Sequence, residues 1–463
     1  LKMDAPELRP ETVLFQKLVS QLQEEWPLND AAPFYRLEAP SPEFDLISFL
    51  DAQTESPRIF WADRETPYQV AAVGAACDFK GLTNHQFDAH LAQIQTVTKN
   101  NSNLRFFGGR RFSSPEDSKE DDTWQHFGHY RFILPAIEFT QNRDRFSVAI
   151  NLPVQPLQTI EHYIQYIQGT LHNIDMEIHT PEPISSLESR LEAPTETEWI
   201  KRISQLKRTI ASTDLEKLVL ARKVTYKFSD SISPFSILHQ LMIRNDPGFY
   251  FAFSNEQNES FLGCSPEMLY HREHRHIKSE AIAGTEPRLG EPDEDLLVEQ
   301  NLKVSKKDFV EHQFVRNMIF EKLKTCCEDL QMEDENRVLR LSYVRHLICA
   351  FSGRLKANVS DESLLKLLHP TPAVCGEPYE AALAAIHHAE PFDRGLYSGL
   401  VGWIGRDASK FAVAIRSCLV RANQVDVFSG AGIVDSSDPE KEWAEINHKI
   451  APFDSILSMK KPS

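Results

Sequence analysis

Val425-Asp426-Val427-Phe428-Ser429-Gly430-Ala431-Gly432-Ile433-Val434, followed by Asp438-Pro439 and then Glu442-Trp443-Ala444-Glu445-Ile446-Asn447-His448-Lys449, is the stretch on which the fold turns. Val425 to Ala431 reads as a strand. The glycine pair Gly430 and Gly432 lets another group approach the backbone closely. Asp438-Pro439 supplies an N-cap and a first-turn proline, so a last helix begins there. On that helix Glu442, Glu445 and Lys449 are spaced i, i+3, i+7 and share a face. Trp443, Ile446 and Ile450 occupy the opposite side, where a core would lie.

Working outward, Phe411–Val420 reads as the preceding strand. Lys217–Ala221 and Gly248–Phe253 are strand-like, and Phe261-Leu262 runs into Ser265-Pro266-Glu267, where a strand must end. Glu198 to Ile210 is helical. Ser305-Lys306-Lys307-Asp308 resembles a capping box opening a long helix toward Leu330, with Val310, Phe314 and Met318 on one stripe. In the first third, Ile59–Trp61, Gln69–Val73, Leu104–Phe112, His129–Leu134 and Phe146–Leu152 are strand-like. Pro153–Met176 is a helical pattern, and Thr180–Thr197, rich in Pro, Ser, Thr and Glu, reads as a linker or surface crossing.

The 463 residues are 41% hydrophobic and 25% charged, an ordinary globular balance long enough for a large core. A net charge of −17 argues against nucleic acid or an anionic membrane as the main partner. It leaves room for a small anion at a locally positive site. No stretch approaches the roughly 20 apolar residues of a membrane helix, and Leu1–Pro10 carries no secretory pattern. The seven cysteines include no Cys-x-x-Cys pair, which suits a reducing compartment. His271-Arg272-Glu273-His274-Arg275-His276 lacks further spaced ligands and is read as a hairpin turn instead of a zinc site.

Six segments stand out together. They are Glu216–Arg222; Phe261–Glu267; Ala283-Gly284-Thr285; Glu311-His312; His369-Pro370-Thr371-Pro372-Ala373; and Gly430–Val434 with Glu442–Lys449. Each is a weak signal alone. Their order and content resemble the chorismate-utilising enzymes, over roughly Glu198 to the C-terminus. The resemblance implies one large α/β (α+β) domain over 1–463, with antiparallel β-sheet layers flanked by helices. Residues 1–190 would contribute to the sheet, and 191–463 would bear the catalytic motifs.

The resemblance also implies roles. Glu311 and Glu445 match metal-ligating glutamates, and oxygen ligands from two helices suit Mg²⁺. Lys217 matches the general base and Glu267 the general acid. The chemistry needs both: water must lose a proton to add at C2 of chorismate, and the C4 hydroxyl must gain one to leave. Arg416, in Ala414-Ile415-Arg416-Ser417, matches an arginine for the enolpyruvyl carboxylate, for which a planar fork is suited. Lys449 matches a second substrate contact, and Tyr397 a residue near the same carboxylate. Gly430 and Gly432 would offer backbone N–H groups to it. Gly284 and Thr285 match contacts near the ring, and His369 a histidine lining the site.

The implied substrate is chorismate and the implied cofactor Mg²⁺. Lys217 points to the water-using members, because ammonia-using members typically lack this lysine, and the long region before it, with the segment His369 to Val401, resembles the isochorismate-forming members of the menaquinone or phylloquinone type. Salicylate-forming members share the same acid, base and metal ligands and stay open as an alternative. Anthranilate- and aminodeoxychorismate-forming components are more remote. No amidotransferase subunit is expected, and a monomer in the cytoplasm or plastid stroma is the implied setting.

Overall fold

Arg58–Ala62 and Phe249–Ser254 carry apolar side chains at successive positions, so both faces of these strands must be buried. The computed structural model shows how. It describes residues 9–28, 32–114, 122–288, 292–341 and 343–458, with side chains except at 287, 292, 303–304, 306–311 and 333–336. The two strands pair antiparallel, Ile59 opposite Phe253 and Trp61 opposite Phe251. Ile59, Trp61, Phe249 and Phe251 enter an inner core with Phe107, Trp124 and Phe261. Phe60, Ala62, Tyr250 and Ala252 point the other way, against Leu14, Leu18, Ile47 and Ile237 of the covering helices. A third core packs Trp199, Ile203, Val315, Ile319 and Leu323 on the remaining sheet surface. The result is helices outside sheet layers, with a dry seam between the layers.

The pairings connect 19 strands among the described residues. Residues distant in sequence meet across them. Leu400–Gly405 lies antiparallel to Arg105–Arg110, and Gln424–Ile433 to Lys217–Phe228. The Lys217–Phe228 strand passes between layers: Leu218 and Leu220 belong to one helix-covered core, Ala221 to the seam, and Val224 and Tyr226 to the other core.

The last helix is Pro439–Leu457, and the Asp438 side chain accepts hydrogen bonds from the backbone N–H groups of Glu440 and Lys441 at 3.0 and 3.1 Å. Trp443, Ile446 and Ile450 are buried as the periodicity predicts. Glu442, read on the polar face, is only 1% exposed, so this helix is enclosed on more than its apolar side.

Several expectations are corrected. Thr180–Thr197 contains the strand Leu187–Ala193, paired with the Lys217 strand; most of its side chains face water, which hides it from an apolar-pattern reading. The helical part of Pro153–Met176 is Ile160–His172. The helix after Ser305 is Lys306–Cys326, and Leu330 lies in the strand Cys327–Arg340 that follows directly. Its buried stripe is His312, Val315, Ile319 and Leu323, while Phe314 and Met318 are half-buried and the Val310 side chain lies outside the described residues. Two apolar rows run side by side on this helix, and packing selects between them. Phe411–Val420 is two strands, Ala408–Val413 and Ser417–Arg421. The chain breaks at Arg416, whose φ is +52°.

Candidate active site

The break at Arg416, the glycine pair and the start of the Lys217 strand converge on one cavity. Glu267, Thr285, Tyr397, Arg416, Glu445 and Lys449 line it, together with Gly284, Gly430 and Gly432.

Glu267 follows the strand Ser260–Ser265 and the turn at Pro266. Its backbone is fixed from both sides: its N–H donates to Ser265 Oγ at 3.3 Å, and its carbonyl accepts from the Val413 N–H at 3.1 Å. The side chain is 2% exposed, and Thr371 Oγ1 donates to it at 3.4 Å. Burial pushes its carboxyl up to about 8; the Thr371 hydrogen bond opposes this, the charge of Glu280 adds to it, and Lys217 and Lys449 pull it down. Glu267 therefore holds a proton at neutral pH. Lys217 opens its strand and is 2% exposed. It is not among the cavity-lining residues, yet its charge is felt at Glu267.

The opposite wall is cationic. Lys449 Nζ donates to Gly430 O at 2.8 Å and pairs with Glu445 Oε1 at 2.7 Å. Arg416 Nη1 donates to Lys449 O at 3.3 Å. Tyr397 stacks on Phe428 with ring centroids 5.2 Å apart and planes at 16°, and burial pushes its hydroxyl up to about 12. A Cβ at Gly430 would come within 3.1 Å of both Leu220 O and the Tyr397 hydroxyl, which is why glycine stands there. Gly284 has φ +76° at a register shift between Ala283 and Thr285. That bulge turns its carbonyl toward His346.

His346 is the site residue that the sequence reading missed. Its Nδ1 lies 3.1 Å from Gly284 O, which can only accept, so Nδ1 carries the proton and Nε2 accepts from Arg416 Nη2 at 3.2 Å. Nδ1 is also 3.1 Å from Thr285 Oγ1. Burial, then the charges of Arg416 and Lys449, hold the imidazole well below its usual range, so it stays neutral. A signal existed: Arg345-His346 interrupts an otherwise apolar strand, Val344 to Cys349.

His369 is placed otherwise than expected. It ends the helix Asp361–Leu368, and its Nε2 lies 3.0 Å from Ser398 O. It does not line the cavity; it fixes the backbone beside Tyr397. Glu311 lies in the helix Lys306–Cys326, but its side chain is outside the described residues. The His271–His276 segment forms the expected hairpin, with Glu273 opposite His276.

The cavity thus brings together a protonated carboxyl, two cations, the Glu445 carboxylate and a neutral histidine, a set that can hold a small anion and offer it a proton. Residues 21–458 match the family described as Chorismate binding enzyme. The chain is 30% identical over 452 residues to isochorismate synthase 2, chloroplastic, of Arabidopsis thaliana, covering 91% of this chain and 80% of that one. It is 28% identical over 457 residues to the isochorismate synthase MenF of Escherichia coli strain K12, covering 97% and 99%. The structure of the menaquinone-specific MenF from Escherichia coli superposes with a TM-score of 0.84 at 25% identity, over 97% of this chain and 100% of that one. The sheet layers and the helices on them share that fold, and the chain belongs to the chorismate binding enzymes.

Proposed function

We propose that this chain converts chorismate to isochorismate with Mg²⁺ as cofactor, and that residues 1–463 act as one catalytic unit. The observation that carries the reading is Glu267, a buried carboxyl that keeps its proton to about 8 and faces a cationic cavity with Lys217 close by. The names of the relatives support it. Pairing of the Arg58 and Arg105 strands with Phe249–Ser254 and Leu400–Gly405 supports a single unit.

In this reading Arg416 grips the enolpyruvyl carboxylate by its fork, with Tyr397 and the Gly430 and Gly432 backbone beside it. Gly284 and Thr285 lie along the ring. Lys217 takes a proton from water as its oxygen bonds to C2. The ring double bonds shift, and the C4–O bond breaks. Glu267 gives its proton to that departing oxygen, which leaves as water. One water enters and one leaves, so the reaction is an isomerisation, and proton exchange resets the two side chains.

Glu445, an oxygen donor on the cavity wall, fits the preference of Mg²⁺ for one or two carboxylates plus water, and Glu311 is its expected companion. Bound there, the metal supplies positive charge against the ring carboxylate.

The test is incubation with chorismate and Mg²⁺, followed by chromatographic separation of products. Isochorismate as the main product supports the reading. Stoichiometric pyruvate with salicylate would assign the chain to salicylate formation, and an aminated product from ammonium would displace water as nucleophile.

A further inference from the structure

Arg64 reaches the active site from outside it. It sits just after the strand Arg58–Ala62, between two residues that are themselves anchored: Asp63 and Glu65 both accept from the buried Lys410 Nζ, at 2.7 and 2.9 Å. The Arg64 guanidinium lies over the Phe249 ring, 5.1 Å from its centroid. One nitrogen, Nη1, donates to the carbonyl of Pro266 at 2.5 Å, the residue directly before Glu267. The other, Nη2, forms an ion pair with Glu280. Glu280 is 5% exposed and sits in the strand His276–Pro287, which goes on to Gly284 and Thr285. It does not line the cavity. Its second oxygen, Oε2, is buried and makes no hydrogen bond among the described residues.

A buried carboxylate with one oxygen left unbonded is costly unless its charge does something. The group it acts on is Glu267. The charged side chains felt at Glu267 are Lys217 from its strand, Lys449 from the last helix and Glu280 from the His276 strand, and of these only Glu280 opposes the loss of a proton. Burial is the larger force holding that proton, and Glu280 adds to it against the pull of the two lysines.

We propose that Arg64 and Glu280 are positioning residues for Glu267: Arg64 pins the Pro266 carbonyl and so fixes the direction in which Glu267 is presented, and Glu280, held by Arg64, adds a negative charge to burial in favouring the acid form of Glu267. The pair acts through Glu267 and touches no substrate. This rests on the reading of Glu267 as the general acid, and it makes the acid's placement depend on a residue from the N-terminal part of the chain.

The test is a carbon-13 NMR titration of the full chain labelled at glutamate carboxyls, with the Glu267 signal assigned by its loss in Glu267→Gln. Glu280→Gln should lower the Glu267 midpoint by about one pH unit or more, the size expected for removing a nearby like charge. The alkaline limb of kcat/KM should move down with it. Arg64→Lys keeps a cation for Glu280 but gives up the fork. It should leave the midpoint in place and lower kcat roughly ten- to a hundredfold at similar KM, as for a small misplacement of a catalytic group. An unmoved midpoint in Glu280→Gln, or an unchanged kcat in Arg64→Lys, overturns the proposal. If Glu280→Gln does not fold, Arg64→Lys decides it. The titration needs no turnover, so a chain that makes no isochorismate would sink the functional reading while the midpoint still tests the pair.

Discussion

His346 Nε2 lies 3.2 Å from Arg416 Nη2, and the imidazole accepts that hydrogen bond as a neutral ring. Arg416 is thereby aimed from two sides, since its Nη1 is tied to the carbonyl of Lys449. Replacing His346 by Leu removes one of these two acceptors and leaves the guanidinium held from one side alone. The expected result is a KM for chorismate raised about tenfold, the equivalent of one hydrogen bond to a charged group. His346→Gln, which offers an acceptor oxygen, should recover part of it. Steady-state kinetics on the two variants decides the matter, and equal KM values for Leu and the unmutated chain would refute it.

Lys217→Gln and Glu267→Gln should each lower turnover by about 10² to 10⁴, the range for a general acid or base. Neither change should abolish Mg²⁺ binding, which isothermal calorimetry would show. Because Glu267 releases its proton near 8, turnover of the unmutated chain should decline as pH rises through that value. A rate that keeps climbing well beyond it would remove Glu267 from the acid role.

Chelation by EDTA should abolish turnover, and added Mg²⁺ should restore it. Glu445→Gln should weaken Mg²⁺ binding by at least the roughly 10- to 100-fold typical of changes near a metal ligand. Full turnover in metal-free buffer would dismiss the metal.

Stability should fall on both sides of neutrality, for different reasons. Burial lowers His129 and His369 to about 3 and His346 well below its ordinary value. A depressed histidine binds fewer protons folded than unfolded. Its contribution is therefore full above the ordinary value of about 6.5 and is lost progressively as pH falls below it. Glu267 is the reverse case. Its raised folded value makes its contribution full below the ordinary carboxylate range and lost as pH rises through about 8. Thermal melts across pH should show Glu267→Gln gaining on the unmutated chain as pH rises from the ordinary carboxylate range to about 8 and holding that gain beyond it, and a constant difference across that window would contradict the assignment.

The sequence was most legible where a local rule and a buried pattern coincided. Asp438-Pro439 marked the last helix because a cap and a first-turn proline are local facts. Ile59–Trp61 and Gly248–Phe253 read as strands, overlapping the observed Arg58–Ala62 and Phe249–Ser254, because both faces are buried. Leu187–Ala193 was hidden because its partner strand, not its composition, makes it a strand. Glu267 and Arg416 came from the family resemblance, and geometry gave them their surroundings. Arg64 and Glu280 stayed out of reach, since each is polar in an ordinary-looking segment and gains meaning from residues far along the chain, whereas His346 had left a trace in the polar break it makes in an apolar strand. His369 was placed in the site by its motif, whereas its bond to Ser398 O makes it a brace for the neighbouring backbone.

The left-handed backbone at Arg416 sets folding against binding at a single position. A non-glycine residue held there costs on the order of 1–3 kcal/mol. Glycine would relax that turn and keep the two strands in place, but it would strip the cavity of the guanidinium proposed to hold the carboxylate. Mutational drift toward greater stability therefore leads away from activity at this residue, and a stabilised variant recovered without selection for turnover should be checked there first.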